Sequence, residues 1–72
     1  MESDDPSTQA RSLRWLAMYH FNLGEHLQAR PLFEQALRTA RQGGLDELAA
    51  ELAYELGVTV GTIGDYPRAL EV

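Results

Sequence analysis

Two six-residue stretches, GEHLQA at 24–29 and GDYPRA at 64–69, share a glycine, an acid, an aromatic ring, two variable positions and an alanine, 40 residues apart. The same offset relates Leu16-Ala17 to Leu56-Gly57 and Leu13 to Ala53. Four agreements at one offset mark an internal repeat. In a chain of 72 residues this narrows the fold sharply. Each unit must be a small supersecondary piece that buries its apolar face against a neighbour and not against itself.

Helical periodicity fills the units. Residues 1 to 5 read as a loose acidic tail ended by Asp5-Pro6, a cap followed by a proline in the first turn. A first helix is expected from there to Leu23, with Leu13, Leu16, Ala17, His20 and Leu23 on its buried stripe and Gly24 closing it. A second is expected from about Glu25 to Gln42, with Leu32, Phe33, Ala36, Leu37 and Ala40 inward and Gly43-Gly44 as its stop. Pro31 falls inside that segment, where a proline removes a backbone hydrogen bond, so a kink or a late start is expected there.

Asp46 is placed to cap a third helix with Leu48, Ala49, Leu52, Ala53, Leu56, Val60 and Ile63 on its stripe. Residues 57–64, GVTVGTIG, have strand-like local propensity, but the stripe from Leu48 runs through them unbroken and favours helix. Gly64, Asp65 and Pro67 then read as a stop, a cap and a first-turn proline, so a fourth helix is expected from Tyr66. The expected fold is all-α: antiparallel helix pairs at 6–44 and 45–72, the second truncated in its last helix.

Composition narrows the class further. With 44% apolar and 24% charged residues the chain has the balance of a globular domain and not of a disordered one. It has no cysteine, so neither a disulfide nor a thiolate metal site can staple so small a core. The net charge of −5 is uneven: residues 1–45 carry five arginines and five acids, whereas residues 46–72 carry Arg68 and six acids. Such a balance argues against a nucleic-acid face. The absence of an 18-residue apolar run and the acidic start argue against a span or a leader, and a soluble, cytoplasmic chain is the expectation.

Taken in order, Leu13, Leu16-Ala17, His20, Gly24-Glu25-His26, Ala29, Phe33 and Ala36 resemble the tetratricopeptide repeat, a helix–turn–helix unit that stacks into a solenoid. A second copy reads Ala53, Leu56-Gly57, Val60, Gly64-Asp65-Tyr66 and Ala69. The resemblance covers residues 10 to 72 and departs from the family pattern at Leu13, Ala53, His20 and Val60. The spacing of 40 is that of a long-helix branch. Small residues at Ala17, Gly57, Ala29, Ala36 and Ala69 would let helices cross closely, with Leu16 and Phe33 filling the gap. Forty residues beyond Phe33 is position 73, so the second unit is cut just before its own aromatic plug. The expectation is a fragment of a longer solenoid, or a short chain that self-associates as a homo-oligomer.

The resemblance implies a non-catalytic protein–protein interaction scaffold whose first helices line a groove for a peptide or partner helix. Carried over by position, the groove face is Arg11, Arg14, Trp15, Met18, Phe21 and Asn22 with Glu51, Tyr54, Glu55, Val58 and Thr62. Two readings of it stay open. In one, Trp15 and Phe21 anchor a partner while Arg11 and Arg14 meet its acidic groups. In the other, a neighbouring protomer or repeat covers the same face, and Arg11 and Arg14 pair with Glu51 and Glu55. His20 and His26 are six apart, off the spacing that puts two metal ligands on one helical face. The glycines at 57, 61 and 64 match no phosphate loop and read as close helix packing. No metal, cofactor or catalytic constellation is expected.

Overall fold

A computed structural model describes the backbone of residues 5–71 and the side chains of residues 5–63. Three helices follow in order: α1 at Pro6–Asn22, α2 at His26–Gln42 and α3 at Asp46–Glu71. Asp5 caps α1 in extended geometry, its Oδ2 accepting from the Thr8 backbone N–H at 3.3 Å, with Pro6 in the first turn. The cap expected from Asp5-Pro6 is therefore formed.

Both interhelical turns are built alike. After α1, Gly24 takes φ +82°, its N–H donating to the Phe21 carbonyl at 3.0 Å while the Glu25 N–H donates to the His20 carbonyl at 2.9 Å. After α2, Gly44 takes φ +71°, with matching bonds from Gly44 to Arg41 at 3.1 Å and from Leu45 to Ala40 at 2.9 Å. This pair of bonds satisfies the last carbonyls of a helix and requires a left-handed residue, which glycine adopts without strain. The contact that usually seals such a turn is apolar; at the first turn it is instead His20 Nδ1 to Glu25 Oε1 at 2.6 Å. Gly43 is small for a different reason: a Cβ there would lie 2.7 Å from that of Pro6.

α2 packs against α1 on one side and α3 on the other, while α1 and α3 are hardly in contact. The core is correspondingly thin. Ala10 and Ala17 of α1, Ala29, Phe33, Ala36, Leu37 and Ala40 of α2, and Leu52 of α3 are buried, with Leu13, Phe21, Leu32, Leu48, Ala49 and Leu56 packed around them. The alanines at the crossings let the backbones approach, and Phe33 fills the space between all three helices.

Several expectations change. Pro31 neither delays nor ends α2, which begins at His26. The carbonyl it leaves without a donor belongs to Leu27, on an exposed turn open to water. Asp46 is the first helical residue of α3, following Leu45 as the flanking one, so its carboxylate complements the helix dipole from the first turn. Leu16 and Leu23 are exposed and fill no gap, because α2 covers the Ala10–Ala17 side of α1 and not theirs. Gly57 and Gly61 likewise face open space and mark no close crossing.

The largest difference is at the third turn. α3 runs on through Gly64, Asp65 and Pro67 to Glu71, and no fourth helix begins at Tyr66. Continuing the helix keeps its backbone hydrogen bonds, save the one that Pro67, lacking an N–H, cannot donate to Ile63. The side chains of Tyr66 and Ala69, expected turn and crossing residues, lie outside the described residues.

Candidate functional site

α1 and α3 flank α2 without closing on each other, and the cleft between them is floored by Phe33. Met18, Phe21 and Asn22 come from α1, and Tyr54, Glu55, Val58 and Thr59 from α3, around a cavity of about 230 Å³. Helical spacing explains the set. Met18 and Asn22 are four apart, as are Tyr54 and Val58 and again Glu55 and Thr59, so each helix presents neighbouring turns to the cleft. Trp15 and Tyr19 extend the α1 wall outward beside Met18 and Asn22.

Trp15 and Tyr54, one on each wall, are both 75% exposed. Met18, Tyr19 and Val58 are exposed as well. This is a concentration of large apolar side chains unlike the scattered single residues of an ordinary surface. Phe21 differs: it is half-buried against the core and meets the His26 ring edge-on at 4.6 Å between centroids. It lines the cavity from a half-buried place beside the core.

Toward the start of both helices the cleft turns polar. There Ser7 and Arg11 face Leu45, Asp46, Glu47 and Leu48. Arg14 bridges the middle. Its Nε donates to Glu55 Oε1 at 2.9 Å and its Nη2 to Glu55 Oε2 at 2.6 Å, while Nη1 lies 3.7 Å from Glu51 Oε1. Hydrogen bonding to Glu55 raises the guanidinium above its ordinary value; burial opposes this, and the charges of Glu55 and Glu51 add to it. The bidentate fork is the geometry arginine favours with a carboxylate.

Arg14 is paired across the cleft with Glu55 and approaches Glu51, as in the second of the two readings left open by the sequence. Arg11 is exposed at the polar end. Thr62 donates to the Val58 carbonyl at 2.9 Å, one turn beyond the cavity.

Sequence reasoning missed Thr59, which is fully buried and donates to the Glu55 carbonyl at 2.9 Å. Its position seven residues after Leu52 was the available signal, masked by its hydroxyl, which the helix satisfies locally. Tyr19 was also missed, although it stands four residues after Trp15. Among the described residues no three His, Asp or Glu side chains gather as a metal site, and no helix is long and apolar enough to cross a membrane.

Antiparallel helices, each packed only on its neighbours and joined by matching glycine turns, with an open cleft along one side, define an α-helical repeat protein of the solenoid class. A family model described as tetratricopeptide repeat matches residues 8–72. The chain belongs to the tetratricopeptide repeat family, a non-catalytic fold that mediates protein–protein interaction. A search of curated proteins gave no match, and a search of solved structures gave none.

Proposed function

We propose that this chain is an interaction module that takes a peptide or partner helix in the cleft between α1 and α3. The observation that carries the reading is the apolar wall pair itself: Trp15, Met18 and Tyr19 on one side, Tyr54 and Val58 on the other, around a cavity floored by Phe33. Large exposed side chains converging on a concave floor are what a docking groove needs, because aromatic anchors supply most of the binding energy at such sites. Catalysis plays no part in this reading.

A second reading, self-assembly into a homo-oligomer, is favoured by one observation. On the flank of α3 turned away from α2, Ala50, Ala53, Gly57 and Val60 are exposed, a smooth surface on which another helix can lie closely.

Absolute mass by light scattering on a size-exclusion column, over a concentration series, separates the two. A folded monomer of 8.0 kDa supports the open cleft, while a stable dimer supports self-assembly. Trp15→Ala then tells which surface is used: loss of peptide capture with the mass unchanged supports the cleft, whereas conversion of an oligomer to monomers makes that face the protomer interface.

A further inference from the structure

The cleft's charge is lopsided. Two cations, Arg11 and Arg14, stand along it against four carboxylates, Asp46, Glu47, Glu51 and Glu55. Arg14 adds little attraction for an incoming acid, because its Nε and Nη2 are held by Glu55 and its remaining nitrogen faces Glu51. An acidic ligand would have to break that fork and would meet Glu51 as a like charge.

Glu51 is the opposite case. Its side chain is 60% exposed, and among the described residues its one ion pair is the long 3.7 Å approach to Arg14. Tyr54 lies three residues further along the same helix face, with an open ring. A carboxylate short of partners beside an exposed aromatic face attracts a cation by charge and by the ring's negative face. The apolar cavity begins a turn away, at Glu55 and Val58. Glu51 and Val58 are seven residues apart on one helix, which is about 10 Å along its axis.

Resting on the cleft's role as the partner groove, we propose that it selects a partner segment carrying a lysine or arginine about 10 Å from a large apolar side chain, and that it discriminates against acidic segments. The apolar side chain enters between Met18 and Val58 above Phe33. The cation meets Glu51 beside the ring of Tyr54. In a partner extended as polyproline II the two side chains stand about three residues apart on one face, and in a helical one about seven.

The test is selection of a random dodecapeptide library, displayed on phage, against the 72-residue chain. Selected peptides are then synthesised and titrated by the fluorescence of Trp15, the sole tryptophan. The expected peptides hold a basic and a large apolar residue at one of those two spacings. Exchanging the basic residue for glutamate weakens binding at least about tenfold at low salt, since a lost ion pair and a new like-charge contact act together. Glu51→Gln removes most of that discrimination, and Val58→Asp and Tyr54→Ala, checked for helicity, each abolish or sharply weaken binding.

Peptides that need Val58 and Tyr54 but tolerate the change to glutamate would overturn the charge selection and leave the groove standing. Peptides indifferent to both variants, or no selected peptide, would overturn the groove and this inference together.

Discussion

α1 and α3 hold the same place in successive repeats, yet they bury opposite halves of the repeat pattern. Ala10 and Ala17 of α1 are fully buried under α2, while their counterparts 40 residues on, Ala50 and Gly57, are exposed. Conversely, Leu52 and Thr59 of α3 are fully buried, while their counterparts Ser12 and Tyr19 are exposed. The first helix of a unit has two faces to cover, and α2, lying between α1 and α3, covers a different one on each. Burial in such a fold belongs to the neighbour and not to the sequence position.

The uncovered faces also differ in chemistry. On α1 the residues equivalent to Leu48, Ala49 and Leu52 are Thr8, Gln9 and Ser12, which suit water. On α3 the uncovered residues are small or apolar: Ala50, Ala53, Gly57 and Val60. The first flank is therefore polar in its first turns and apolar further on, where Leu16, Tyr19 and Leu23 are exposed, whereas the second is small or apolar from Ala50 to Val60.

Removing a side chain that both interfaces share should break the comparison most completely. Phe33→Ala is expected to lose about 3–5 kcal/mol, measured by urea unfolding. A chain of this length holds only on the order of 4–11 kcal/mol in total, so both interfaces should fail together.

Paired substitutions at 17 and 57 sharpen it. Ala17→Leu forces a larger side chain into a closed crossing and should cost about 1–3 kcal/mol. Gly57→Leu should be neutral or stabilise by up to about 1 kcal/mol, since it improves helix propensity in open space. Equal losses at the two positions, read from urea midpoints, would mean that α3's free flank is covered in solution.

Gly44→Ala addresses the joint between α2 and α3. A side chain at φ +71° is expected to cost about 1–2 kcal/mol, and amide exchange should quicken first around that turn.

The smallest effect belongs to the strut across the cleft. Arg14→Gln should change stability by no more than about 1 kcal/mol, with a difference from the parent chain that narrows as salt rises. A loss of several kcal/mol, insensitive to salt, would mean that the Arg14–Glu55 pair holds α1 and α3 in place by itself.

What could be read along the chain was local. The Asp5-Pro6 cap, the stops at Gly24 and Gly44 and the stripe from Phe33 to Ala40 depend on hydrogen bonds and spacings within about one helical turn, and the 40-residue offset placed the units in register. A second apolar side of α1 was legible too, from Trp15, Met18 and Phe21. Leu16 and Leu23 were misjudged because periodicity gives a helix an apolar side without saying which part of it a neighbour will reach.

The sequence by itself determined that the chain is a run of helices with glycine turns and small residues at a fixed period, because each of those features is settled by residues within a few positions of one another. Only the tertiary structure decided that α2 buries different halves of α1 and α3, that Thr59 is inside and that Arg14 is bound to Glu55. These depend on side chains of different helices being brought into contact, 41 residues apart for Arg14 and Glu55, and what lies opposite a residue at such a separation is set by packing.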